Sequence, residues 1–341
     1  MFADLLAARP AVVLAPMAGV TNRAFRRVCR EASSGPTIYV AEMTTSQALL
    51  MRHPETLDLI TFDADESPRS IQLYGVDPGI VGAAVRMVVA EDRADHIDLN
   101  FGCPVPKVTR IGIDEDHITY LDAGRIAADA GVAWVALHGR TAAQYYGGTA
   151  DWDAIARLVE HIPGTPVLGN GDIWSGQDAV DMLARTGAAG VVVGRGCLGR
   201  PWLFGQIDDA LAGRPVRPEP GAEVILDLMR RHCALLVDMH GDEFLGCREM
   251  RKHMAWYLKG LVVGSDTRRE LGLISRLEDL ESLLATIETN QVLPPEVATA
   301  PRGRTTPHRS VALPDGWLSS PDLTPAQQAA VHEAELSVSG G

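Results

Sequence analysis

Seven short apolar runs recur along the first part of the chain: "AVVLAP" (11–16), "TIYVAE" (37–42), "SIQLYG" (70–75), "HIDLNF" (96–101), "AWVALHG" (133–139), "PVLGNGD" (166–172) and "AGVVVGRG" (189–196). The runs are rich in Val and Ile and largely continuous rather than alternating. They predict strands buried on both faces, as in a parallel sheet covered by helices. The residues able to do chemistry gather where the runs end: Met17, Glu42, Gln72, Asn100, Cys103, His138, Asn170, Asp172 and Arg195. Such a grouping at one end of many parallel strands is the active face of a TIM-type (β/α)8 barrel. An open doubly wound sheet is the competing α/β architecture, but no GxGxxG follows the first run.

After "RPWLFGQI" and the Pro-rich link "GRPVRPEPG" (213–221) the pattern changes to helical periodicity alone, through about residue 290. Residues 1–212 are therefore assigned to the barrel and 221–290 to an all-helical C-terminal domain. From Asn290 onward Pro, Thr, Ser and Gly dominate, and residues 291–341 read as a largely disordered tail.

Composition narrows the classes. With 341 residues, of which 46% are apolar, the chain can bury a large core and reads as soluble and globular. No run is long enough to span a membrane. The five cysteines (29, 103, 197, 233, 247) are odd in number and form no CxxC pair. Neither a disulfide framework nor a cysteine zinc site is expected, no metal is assigned, and a reducing cytoplasm fits. A net charge of −13 argues against indiscriminate nucleic-acid binding, while a local basic face remains compatible with phosphate contacts.

The turn "APMAGVTN" (15–22) is either an ordinary barrel turn or an apolar shelf of Pro16, Met17 and Ala18 under a flat ring, to which Gln72 offers an amide donor and acceptor. "LGNGD" (168–172) and "VVGRG" (192–196) close the last two strands, where many barrels hold a phosphate. Gly171, Gly194 and Gly196 permit close backbone approach there, and Arg195 adds a charged fork. His138 in "LHGRT" is either a structural histidine or, with Arg140 and Thr141 after it in a polar mouth, a ligand-facing one. In "NFGCP" the bend of Gly102 and Pro104 turns Cys103 toward the mouth beside Asn100. A thiol with a free pKa of roughly 8.5 is mostly protonated at neutral pH, so proton donation suits it better than thiolate chemistry. In the helical region "CREMRKHMAWYLKG" (247–260) carries Arg248, Arg251, Lys252 and His253. They are either a solvated face or a surface for a phosphate backbone and an unstacked base.

Taken together, "APMAGVTNRAFR", "YVAEM", "IQLYG", "DLNFGCPVPKV", "LHGRTAAQ", "GNGDI", "GRGCLGRPWLF" and "REMRKHMAWYLKG" resemble, in order and over about residues 8 to 285, the bacterial tRNA-dihydrouridine synthases. The resemblance implies an FMN-binding barrel followed by a helical tRNA-binding domain, with NADPH as reductant, in a cytoplasmic monomer. It puts FMN against Pro16, Met17, Ala18, Gln72, Asn170, Gly171, Asp172, Gly194 and Arg195, with Asn100 and His138 also in the site. It makes Cys103 the proton donor, and Arg248, Arg251, Lys252 and His253 fall in its tRNA-binding region. The implied reaction adds hydride from reduced flavin to C6 of a tRNA uridine and a proton from Cys103 to C5, with the base drawn out of its stack.

One departure is large. In the family the segment after "CPVPKV" continues through a Gly-rich loop, a helix and a fifth strand ending in Lys-x-Arg. Here "KVTR" runs directly into "IGIDED". Seven strands are expected where closure requires eight, one βα unit being missing. "VTRIGI" (108–113) could serve as a short strand, yet no crossover helix separates it from "HIDLNF". Arg110 can stand for the family's Arg, whereas its flavin-contacting Lys has no counterpart, Lys107 belonging to the earlier motif. The gap leaves open a non-catalytic tRNA-binding remnant, and the barrel by itself an FMN reductase of a free pyrimidine.

Overall fold

In a computed structural model the chain is described at residues 9–33, 35–75, 77–100, 118–303, 324–326 and 329. Cys103, Lys107, Arg110, the "VTRIGI" stretch and nearly all of the chain beyond 303 lie outside the described residues. Seven strands are present among the described residues: β1 (Ala11–Leu14), β2 (Thr37–Thr45), β3 (Ser70–Tyr74), β4 (His96–Leu99), β5 (Val135–His138), β6 (Val167–Asn170) and β7 (Gly190–Val193). They form one sheet in the order β4-β3-β2-β1-β7-β6-β5, and every pairing is parallel. The expected strand count and the parallel, helix-covered sheet are both found.

Helices follow the strands as in a βα series: α1 (Arg23–Ala32), α2 (Ser46–Leu50), α3 (Pro54–Leu59), α4 (Pro78–Ala90), α5 (Tyr120–Asp129), α6 (Trp152–His161), α7 (Gly176–Thr186) and α8 (Leu203–Leu211). Strand parity sorts the residues. Val12, Leu14, Tyr39, Val167, Val191 and Val193 pack outward with Phe25, Ile155, Leu158, Met182 and Phe204 of the helices. Ala11, Val13, Ile38, Val40, Leu168 and Val192 pack inward on one another, with Trp134 against them.

β4 and β5, the two ends of the sheet, share no ladder among the described residues. The sheet nevertheless curls far enough for them to meet: the imidazole of His96, the first residue of β4, stacks on Trp134, just ahead of β5, with centroids 4.7 Å apart and planes at 24°. This is a seam tied at the N-terminal ends of the strands. Beside it the inward residues of β5, Ala136 and His138, are exposed. Among the described residues no strand lies between β4 and β5.

The helical region comprises α9 (Ala222–His240), α10 (Glu243–Tyr257), α11 (Ser265–Leu271) and α12 (Leu277–Leu284). Its core of Ile225, Met229, Leu236, Met250, Met254, Leu271, Leu280 and Leu284 also takes in Ala24 and Val28 of α1 and Trp202. Asn22 stitches the two parts together: its Oδ1 accepts from the Phe25 N–H at 2.9 Å, capping α1, while its Nδ2 donates to Glu249 of α10 at 2.7 Å. Residues 291–303, assigned to the tail by composition, pack onto this layer. Leu293, Ala298 and Arg302 are buried, and Arg302 donates to the Trp256 carbonyl at 2.7 Å.

A candidate active site at the strand ends

Parity carried to the C-terminal ends of the strands points a specific set of side chains inward. Ser70 and Gln72 of β3 share the inner face with His96 and Asp98 of β4 and with Asn100 just beyond it, and the ladder sets Ser70 opposite His96 and Gln72 opposite Asp98. The result is a polar column on an otherwise apolar interior. Ser70 Oγ lies 2.7 Å from His96 Nδ1, Gln72 Nε2 donates to Asp98 Oδ2 at 2.6 Å, and Asn100 Nδ2 donates to Gln72 Oε1 at 3.1 Å. Burial raises the Asp98 carboxyl above its ordinary range, and the Gln72 donor partly offsets this.

Across the mouth the turn after β1 is held from two sides. The Met17 N–H donates to Thr21 Oγ1 at 3.0 Å and the Gly19 N–H to the buried carboxylate of Glu42 at 2.5 Å. Met17 reaches the turn after β7: its Sδ is 3.9 Å from where a Cβ on Gly194 would lie. The apolar shelf and the second Gly-rich turn are thus neighbours.

After β6, Gly171 adopts φ +132°, and a Cβ there would lie 2.5 Å from that of Ala150, so a side chain is excluded on both counts. Asp172 does not project freely into the mouth. Its carboxylate oxygens both accept from Arg140 Nη2, at 2.8 and 2.9 Å, and Oδ2 accepts from the Ala150 N–H at 2.7 Å. Arg140 also donates to the carbonyls of Gly147 and Gly148, which lashes the loop between β5 and α6 to the end of β6. Its Nη1 is buried with no hydrogen-bond partner among the described residues and lies 3.8 Å from the Cβ position of Gly171. Arg195 stands over the Tyr146 ring at 4.7 Å and Trp174 at 5.3 Å, 4.0 Å from Asp172. Two guanidiniums share one carboxylate beside two Gly-rich turns, a surplus of positive charge that suits a bound dianion.

Surrounding protein and the charges of Arg140 and Arg195 lower the His138 pKa, with Asp172 opposing. The residue is nonetheless exposed at the end of β5, which weakens the first effect. It enters the site neutral at pH 7. Asn170 donates to the Val192 carbonyl at 2.6 Å and so pins β6 to β7 at the rim.

The basic helix divides. Arg248 and Lys252 are exposed one turn apart on α10. Lys252 pairs with Glu249 at 3.1 Å, and its Nζ lies 3.8 Å from the Cβ position of Gly19, so this cation leans over the first turn of the mouth. Arg251 turns elsewhere, donating to the Ile274 carbonyl at 2.8 Å. The expectation that His253 joins the same surface is corrected. Its ring is fully buried, stacked on Phe25 at 5.8 Å and edge-on to His232 at 4.5 Å. Helical spacing brought it near the cations in sequence while packing turned it into the core.

That buried pair has a measurable consequence. His232 Nε2 and both nitrogens of His253 lack hydrogen-bond partners among the described residues. Desolvation pushes His232 down to about 3, with Lys252 lowering and Glu249 raising it; desolvation, His232 and Lys252 hold His253 well below the usual range. In the unfolded chain both titrate near ~6.5, so the unfolded state takes up protons first. Stability is therefore full above about pH 6.5 and falls with pH from there toward about 3. The expected loss is about 1.4 kcal/mol per histidine for each pH unit below 6.5. Denaturant melts at pH 7, 6 and 5 should show this slope, and His253→Phe should roughly halve it. An unchanged slope in the variant would move the effect to other groups.

Sequence reading missed Asp98 and the clamp of Arg140 on Asp172. Asp98 had a signal, since it shares parity with His96 and Asn100; the clamp depends on a loop conformation that spacing does not encode.

The sequence model described as "Dihydrouridine synthase (Dus)" matches residues 13–110 and 108–292. A probable tRNA-dihydrouridine synthase of Mycobacterium tuberculosis is 48% identical over 353 residues, covering 91% of this chain and 90% of the relative. One from Mycobacterium leprae is 45% identical, covering 91% and 96%. tRNA-dihydrouridine synthase B of Pseudomonas syringae is 34% identical, covering 81% and 90%. The two stretches of the family match meet and overlap at residues 108–110. The 353-residue alignment exceeds the whole 341-residue chain although it covers only 91% of it, so the relative carries extra residues.

Proposed function

The chain belongs to the dihydrouridine synthase family, and on that premise we propose that it reduces the C5=C6 bond of uridines in tRNA with FMN as cofactor and NADPH as reductant. The observation that carries the reading is the convergence of the inward strand-end residues with two guanidiniums, inside a chain matched by the family along both halves. Reduced FMN, when bound, supplies hydride to C6 of the uracil ring.

The chain's own groups divide the remaining work. Arg195, the unpartnered Nη1 of Arg140 and the turns at Gly171 and Gly194 fit the flavin phosphate. The donor and acceptor of Gln72 suit the ring's polar edge, and Pro16, Met17 and Ala18, in the turn held through Thr21 and Glu42, offer it an apolar shelf. Asn100, Asn170 and His138 complete the rim, while Asp172 serves by holding Arg140. Cys103 donates the proton to C5. Arg248 and Lys252 take the tRNA backbone, Lys252 nearest the mouth. The compartment is the cytoplasm, the described cysteines being free thiols.

Purified protein incubated with FMN, NADPH and an unmodified tRNA transcript should bind the flavin and form dihydrouridine, read by mass spectrometry of the digested RNA. Arg248→Ala with Lys252→Ala should weaken tRNA binding and flatten its salt dependence at unchanged flavin content. The break in the family match at residues 108–110 supports a second reading, a tRNA-binding remnant. A colourless protein that still binds tRNA and forms no dihydrouridine would establish that alternative and overturn the first.

A further inference from the structure

Gln72 has two amide ends of similar shape and opposite polarity, and its neighbours distinguish them. One end is 2.6 Å from Asp98 Oδ2, an acceptor when ionised, and must be the NH2 group. The other receives Asn100 Nδ2 at 3.1 Å and must be the carbonyl oxygen. Asn100 is itself oriented, its Nδ2 lying 3.2 Å from Met43 Sδ. Gln72 is 8% exposed, so few alternative partners are open to it. After these two bonds the amide retains one N–H and one lone pair. This is the complement of an imide edge, C=O next to N–H, found on the isoalloxazine ring and on uracil alike.

We propose that Asp98 is a positioning residue for the cofactor, holding the Gln72 amide in the one flip state that presents its free N–H and lone pair to an imide edge. The inference rests on the FMN reading above. The column runs on through Ser70 and His96 to the Trp134 stack, so Asp98 lies between the ligand end of the strands and their closed end. A flip would set an amide oxygen against the carboxylate and an NH2 against the Asn100 NH2, replacing two hydrogen bonds by two repulsions. A pair of such bonds, one of them charge-assisted, corresponds to a preference of at least about tenfold.

A charge-conserving swap tests this. In Gln72→Glu with Asp98→Asn the bridge between β3 and β4 is rebuilt in reverse, the new amide at position 98 donating to a carboxylate at position 72, and the Asn100 bond is kept. The side chain at position 72 then has no N–H to offer. Asp98→Asn alone releases the flip. The single variant is expected to bind FMN about tenfold more weakly, with a shifted visible flavin spectrum. The swap should melt like the parent and yet bind FMN more than tenfold more weakly, measured by quenching of free-flavin fluorescence. If the swap restores parental FMN affinity and spectrum, Asp98 merely joins two strands and the proposal fails. If both variants bind as the parent does, Asp98 has no role toward the cofactor. Failure of the parent itself to bind FMN would instead overturn the reading beneath.

Discussion

Cys103→Ala is expected to slow reduction of tRNA uridine by about 10²- to 10⁴-fold, the range over which a positioned general acid contributes. Hydride addition at C6 leaves enolate character at C5, because the double bond is conjugated to the C4 carbonyl, and the base stays poised to revert until a proton arrives. A thiol with pKa near ~8.5 is mostly protonated at pH 7 and gives that proton without special tuning. Flavin content and flavin reduction by NADPH should be unaffected, so single-turnover measurements with pre-reduced enzyme isolate the defect. The four other cysteines, Cys29, Cys197, Cys233 and Cys247, are buried free thiols. Equal turnover in variant and parent would remove Cys103 from the mechanism.

The second large effect is expected from adding chain. Insertion of a family-like segment of about 40 residues after Arg110, a helix and a strand bearing Lys-x-Arg, should give the seam its missing member, since one βα unit takes at least about 30 residues. Each face of that strand has a partner waiting: the edges of β4 and β5 left unpaired among the described residues on either side, exposed Ala136 and His138 beside it, and the apolar interior below. Unpaired edges and uncovered apolar surface also invite association, so the parent should aggregate more readily. Melting and bound flavin per chain, measured on both proteins, decide the matter. Should the parent already melt as sharply and hold one FMN per chain, the seam needs no strand.

What could be read in the sequence follows from how local each cause is. The seven strands were legible because Val- and Ile-rich runs buried on both faces need nothing but themselves, and their ends placed Gln72, Asn100, His138, Asn170 and Arg195 around one mouth. The expectation that "VTRIGI" follows "HIDLNF" too closely for a parallel crossover falls outside the described residues. His253 was misplaced because its environment comes from Phe25 and His232, which helical periodicity cannot see. Asp172 has a phosphate turn's spacing, but the loop it anchors through Arg140 exists only after folding. Residues 291–303 have a loose composition and are ordered by contacts made through Leu293, Ala298 and Arg302.

The stacked rings of His96 and Trp134 join the edges of the sheet at one end only among the described residues. That joint is one ring against another, with no ladder of backbone hydrogen bonds between β4 and β5 among the described residues. A ladder spreads its strength over many bonds and tolerates the loss of any one, whereas here a single truncation, Trp134→Ala, should free both edges at once.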